Sequence, residues 1–168
     1  PSFSGIHLED IKAPECFYIE EELKKTLNIP VYHDDQHGTA IAVLGALYNG
    51  AKVVNKDFSK LKVLILGAGA SGIATAKLLL KAGIEDIILV DKNGALVNGD
   101  ETLNAPQKEM AKITNKEFKK GTLKEVIKGR DVFIGLSEGN LVTKEMVESM
   151  NEDPIIFALA NPTPEIKP

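Results

Sequence analysis

Asp34 and Asp35 stand side by side between His33 and His37 in VYHDDQHGTA, Val31 to Ala40, just ahead of an apolar stretch with helical periodicity. Adjacent carboxylates destabilise each other unless a positive group relieves them, so the stretch needs a metal, a cationic partner or plain solvent. A second acidic pair, Glu9-Asp10, follows a strand-like run at Gly5 to Leu8, and Asp34-Asp35 follows another at Ile29 to Tyr32. Two parallel strands joined by a right-handed crossover end at the same sheet edge, where open α/β sheets bind ligands. Four carboxylates can therefore meet there. Oxygen ligands select a hard cation, Mg²⁺ or Mn²⁺, and three carboxylates leave such an ion positions for a chelating substrate and water. Two other readings stay open. His33 and His37 have the i, i+4 spacing of a zinc pair if the segment is helical, although Val31-Tyr32 reads as strand. Asp34, Asp35 or Thr39 could also cap a helix over AIAVLGALYNG, which leaves the other acids without a purpose.

A glycine-rich turn is the second chemical signal. Gly67-Ala68-Gly69-Ala70-Ser71-Gly72 follows the strand-like Val63 to Leu66 and opens a helical pattern. In GxGxxG the first glycine permits the turn and the second lets a pyrophosphate approach the backbone. The third lets helix and sheet pack closely, and the helix end supplies N–H donors at Ala70, Ser71 and Gly72. Asp91 lies about 20 residues further on, at the end of the next strand, where a carboxylate holds the adenine-ribose hydroxyls. The same charge repels a 2′-phosphate, so NAD is favoured over NADP, while Lys92 beside it could compensate and admit NADP.

These residues need a scaffold, and the sequence supplies one. Near-continuous apolar runs at Val63 to Leu66, Ile87 to Val90, Val132 to Ile134 and Ile155 to Leu159 predict strands buried on both faces of a parallel sheet. A helix over Ile73 to Lys81 ends at Gly83, and Thr122 and Thr143 cap LKEVIKG and KEMVESM. The Asn93-Gly94 and Asn98-Gly99 pairs mark turns in a polar excursion after the second strand. Upstream, Pro14 suits the first turn of a helix over Glu15 to Leu27, whose IEEELKK stretch reads as a largely solvated face. The expected fold is α/β: a doubly wound, Rossmann-like parallel sheet preceded by a short βαβ piece of a second domain.

Composition excludes several classes. A net charge of −4 without a basic run speaks against a nucleic-acid partner. No apolar run approaches the roughly 20 residues of a membrane span. The single cysteine, Cys16, fits a reducing, cytoplasmic setting and a structural role.

The segments GIHLEDIKAPECF, IPVYHDDQHGTA, LGAGASGIATAKLLL, VDKNGALVNG, DVFIGLSEGNLVTKEM and IIFALANPTPEI together resemble the malic enzymes, especially their shorter bacterial and archaeal form. HDDQHGTA and FALANP carry the resemblance, since any dinucleotide-binding dehydrogenase could share the glycine turn. It implies a divalent-metal-dependent conversion of L-malate to pyruvate and CO₂ with reduction of NAD(P). It also implies metal ligation by Glu9, Asp10 and Asp35 with Asp34 close by, Ser137 along the cofactor, and Asn161 against substrate or nicotinamide. A homo-oligomer, a dimer or larger, is implied as well. The family's catalytic lysine and tyrosine have no counterpart here, for Tyr18, Tyr32 and Tyr48 match other parts of its pattern. The chain is thus expected to be a central segment of a longer enzyme. Residues 1–37 would close a substrate and metal domain, and 38–168 would form an NAD-binding domain, incomplete at its C-terminus. Rival functions are a metal-dependent oxaloacetate decarboxylase and a non-catalytic dinucleotide-binding module. Another Rossmann oxidoreductase would leave HDDQHGTA unexplained.

Overall fold

Alternate residues of each apolar run go to opposite faces of one sheet, which explains why the runs lack a polar side. The computed structural model describes residues 2–167. Its main sheet has the order β5-β4-β3-β6-β7, built from β3 (Lys62–Leu66), β4 (Asp86–Asp91), β5 (Gly94–Ala95), β6 (Val132–Gly135) and β7 (Ile155–Ala158). All neighbouring pairs are parallel except the short β4–β5 pair. Val63, Ile65, Ile87, Leu89, Val132 and Ile134 join one core cluster with Val43, Leu47, Ile73 and Leu79. Leu64, Leu66, Ile88, Val90 and Phe133 join a second with Val126, Ile127 and Met150. The sheet is doubly wound, as expected.

From β3 the chain turns one way to β4 and later the other way to β6, so β3 and β6 flank the switch point of the sheet. Helix α3 (Ala70–Lys81) starts there and ends in a glycine cap: Gly83 adopts φ +101°, and the amides of Gly83 and Ile84 reach back to the carbonyls of Leu80 and Leu79. Upstream, β1 (Ile6–Leu8) and β2 (Val31–His33) pair in parallel through α1 (Glu15–Thr26), with Pro14 just ahead of the helix. Helix α2 (Asp34–Val53) follows β2 without a loop and packs along α3. The expected division at 37/38 therefore falls within a continuous helix.

Two features differ from expectation. The polar excursion after β4 contains β5 and a helix, α4 (Ala105–Ile113). Its start was written in Asn104 and Gln107, whose side chains satisfy each other's backbone N–H groups. The IEEELKK stretch is not uniformly solvated either. Glu20 is only 6% exposed, because α1 lies against the first turn of α2 and turns this one carboxylate inward. The remaining helices, α5 (Leu123–Val126) and α6 (Lys144–Glu148), start after Thr122 and Thr143 as expected.

At the sheet edge away from the glycine turn, Asp131 accepts from the Lys62 backbone N–H at 2.9 Å, Asn151 at 2.9 Å and Lys56 at 3.1 Å. Burial pushes this carboxyl up, but the three donors outweigh it and hold it below its ordinary range. Asp131→Ala is expected to cost about 2–3 kcal/mol in urea unfolding at pH 7. A depressed folded pKa contributes stability above the unfolded Asp value of about 3.9 and loses it as pH falls through the folded value. The deficit of the variant should therefore shrink below about pH 4. A deficit unchanged between neutral and acid pH would show that charge has no part in it.

Candidate functional site

The dinucleotide turn is built as its glycines require. Gly67 sits at φ +113°, and a Cβ there would lie 2.5 Å from the carbonyl oxygen of Leu136, at the end of the neighbouring strand β6. A Cβ on Gly72 would overlap the Gly67 carbonyl, so the third glycine lets α3 pack against the turn. A Cβ on Gly69 would meet nothing within 4 Å. Packing does not demand a glycine there, and the space is the cradle a pyrophosphate would fill. No side chain caps α3, which leaves the first-turn N–H groups of Ala70, Ser71 and Gly72 without intrahelical partners.

Two cavities flank this helix end. One, of about 660 Å³, is lined by Asp35 and Thr39 from α2, Ser71 from α3, and Ser137, Phe157 and Asn161 from the ends of β6 and β7. The other, of about 420 Å³, takes Asp91 and Lys92 from the β4 end and Gly94 from β5, together with Leu123 and Met146. Ser137 lines both. Asp91 is held at its strand end, accepting from the Asn93 N–H at 2.8 Å and Gln107 at 3.5 Å.

The acidic residues are sorted by partner rather than gathered. Asp35 Oδ2 accepts from the Asp10 backbone N–H at 3.0 Å and pairs with His33 Nε2 at 3.1 Å. Asp10 takes a left-handed conformation, φ +56°, to present that N–H. Glu9 turns instead to His7 at 3.3 Å, and Asp34 accepts from the Tyr32 hydroxyl at 3.0 Å. Gly38 leaves room for that last pair, because a Cβ would overlap the Asp34 carboxylate. Burial, then the Asp34 carboxylate, push the Tyr32 phenol up. Among the described residues, no three His, Cys, Asp or Glu side chains form a ready metal-binding group.

The histidines of the motif belong to a hydrogen-bond chain. Since Asp35 only accepts, His33 donates through Nε2, and its Nδ1 accepts from Gln36 at 2.9 Å. Gln36 also donates to Glu20 at 3.2 Å, and Glu20 receives His37 at 2.7 Å and Lys24 at 2.8 Å. Burial raises the Glu20 carboxyl, yet Lys24 and His37 outweigh it and hold it below its ordinary range. His33 and His37 thus have separate protein partners, and the zinc-pair spacing does not bring them to a shared point.

Glu165 was not singled out from the sequence. It is fully buried, and its two oxygens accept from the backbone N–H groups of Ser137 and Ala160, each at 3.1 Å. No local pattern announces a contact across 28 residues to the loop after β6.

The family described as "Malic enzyme, NAD binding domain" matches residues 36–167. The chain is 54% identical to the bifunctional malic/malolactic enzyme of Bacillus subtilis (strain 168), covering 100% of this chain and 41% of that protein. It is 47% identical to the NADP-dependent malic enzyme of Escherichia coli (strain K12), covering 100% of this chain and 22% of that protein. Its fold superposes on the crystal structure of the NAD-dependent malic enzyme of Thermotoga maritima with a TM-score of 0.97 at 46% identity, covering 100% of this chain and 45% of that one.

Proposed function

The chain belongs to the malic enzyme family, and from that premise we propose that it supplies the NAD(P)-binding and metal-binding segment of an enzyme converting L-malate to pyruvate and CO₂. The observation that carries this reading is the shared cavity. Asp35, the α3 end at Ser71, Ser137 and Asn161 all face one space at the carboxyl edge of the sheet. A dinucleotide laid across the switch point would therefore bring its reactive end to the acidic residues.

Each residue has a task. The N–H groups of Ala70, Ser71 and Gly72 bind the pyrophosphate beside Gly67 and Gly69, and Asp91 takes the ribose hydroxyls with Lys92 next to it. Ser137 orients the cofactor, and Asn161 orients the nicotinamide and the malate. Val43, Leu136 and Phe157 form an apolar wall that keeps water from this side of the cavity. Glu9, Asp10 and Asp35 would hold Mg²⁺ or Mn²⁺. Their all-oxygen chemistry fits such an ion, Asp10 and Asp35 are already joined, and Glu9 would have to leave His7. Asp34 supports them from its bond to Tyr32. When bound, the cation supplies Lewis acidity to the hydroxyl carbon's oxygen and to the carbonyl that replaces it.

We assign residues 1–37 to the metal and substrate part and 38–168 to the NAD-binding part of a cytoplasmic homo-oligomer, a dimer. No helix among the described residues is long and apolar enough to cross a membrane. The test is NAD reduction by the full-length protein with malate and Mn²⁺, assayed together with pyruvate. Pyruvate from oxaloacetate without any NADH from malate would overturn the oxidative reading. The relatives carry both NAD and NADP in their names, so Asp91 decides the preference in this chain. NAD should be the better substrate, and Asp91→Ser should narrow that preference by about 10-fold, or 1.4 kcal/mol. An unchanged ratio of kcat/KM values would remove Asp91 from that role.

A further inference from the structure

We propose that Glu165 is a positioning residue that locks the loops after β6 and β7 into one surface against the nicotinamide half of the dinucleotide, an inference that rests on the dinucleotide reading above. Its side chain is fully buried beneath the carboxyl edge of the sheet. Oε1 accepts from the Ser137 amide and Oε2 from the Ala160 amide, so one carboxylate spans two loops that the chain reaches separately. Ser137 lines the cavity itself, and Asn161 follows Ala160 directly. The spacing of both cofactor-facing residues is therefore set by one side chain.

The surroundings are shaped for this carboxylate. Gly135, the last residue of β6, leaves the volume that Glu165 fills, because a Cβ there would overlap the carboxylate carbon. The backbone around Glu165 is fixed from the other side: the Val142 amide donates to its carbonyl at 2.9 Å, and the Asn140 amide donates to that of Pro164 at 3.0 Å. Glutamine cannot replace it, for an amide offers one accepting oxygen and turns N–H donors toward the second backbone N–H. One of the two loops is then released while most of the packing stays.

The position in the fold separates this role from general stability. Ala160 and Asn161 line only the cavity that holds Asp35, Ser137 lines both cavities, and Asp91 lines only the second. Releasing one loop should weaken the nicotinamide half of the binding more than the adenosine half, because the Ala160 loop lines only the first cavity and Ser137 is shared. The experiment measures NADH and ADP affinity for the full-length protein and for its Glu165→Gln and Gly135→Ala variants, with melting temperature and amide exchange alongside. Gly135→Ala keeps the carboxylate but displaces it, and gives a second route should Glu165→Gln not fold. Expected are NADH binding weakened by about 10-fold and faster exchange at Ser137 or Ala160, with ADP binding within about twofold of the parent. NADH affinity unchanged in the variants would overturn the proposal. So would NADH and ADP affinities falling together with the melting temperature, the mark of a merely structural residue. A full-length parent that binds neither nucleotide would overturn the dinucleotide reading itself, and Glu165's role with it, before any variant is made.

Discussion

Asp35→Asn is expected to weaken Mn²⁺ binding by on the order of 100-fold or more, since loss of a charged ligand exceeds the 10–100-fold seen for supporting partners. The substitution keeps the size of the side chain and one accepting oxygen. It removes the negative charge, while its one carbonyl oxygen can still accept from both His33 Nε2 and the Asp10 amide, which share Oδ2. The local geometry is thus disturbed only modestly, and NADH affinity should remain within about twofold because the glycine turn lies on another element. Calorimetry or water-proton relaxation with Mn²⁺, with and without malate, reads the effect. In the parent, malate should strengthen Mn²⁺ binding. Equal Mn²⁺ binding in parent and variant would leave Asp35 as no more than the partner of His33 and Asp10.

Gly67→Ala should damage the dinucleotide turn through backbone strain and a backbone clash together. At φ +113° a side chain is strained by about 1–3 kcal/mol. The new Cβ would also press on the Leu136 carbonyl at 2.5 Å, which belongs to the backbone of the loop after β6 and cannot swing aside. Together these should cost about 3 kcal/mol or more and lower the melting temperature by about 6–12 °C. NADH binding should fall with it. Gly69→Ala provides the contrast. Its backbone angles are ordinary, φ −94°, and its Cβ would meet nothing, so stability should change by no more than about 1 kcal/mol. The methyl would nonetheless occupy the cradle, and NADH binding should be lost in a chain that still folds. A Gly69→Ala protein that binds NADH like the parent would sink the assignment of the pyrophosphate to this turn.

Much of this was legible before any coordinates because burial on both faces leaves a direct mark on sequence. Val63 to Leu66 and Ile87 to Val90 have no polar side to lose, and GxGxxG between strand and helix fixes both the turn and the edge of the sheet that binds. The short antiparallel β5 was not legible, since two residues carry no periodicity. Helix α4 was legible in principle, because Asn104 and Gln107 form its cap. The surrounding Asn-Gly turns drew the reading toward loop. Glu20 shows a different limit. Its neighbours Glu21 and Glu22 are exposed, and composition alone cannot tell which acid of a charged run faces another helix. The same holds for Glu165, whose partners come from loops distant in the chain. Acids at strand ends were correctly brought to one edge, but their partners within that edge, Tyr32, His7 and the Asp10 amide, follow from side-chain geometry that spacing does not encode.

Helix α2 carries one last consequence. Its 20 residues, about 30 Å of rod, begin with Asp34 and Asp35 and lie along α3, which begins at the dinucleotide turn. No hinge can sit between residues 37 and 38 without breaking that rod. Asp35 is therefore fixed to the element that packs on α3, and the Asp10 amide ties the end of β1 to that same carboxylate.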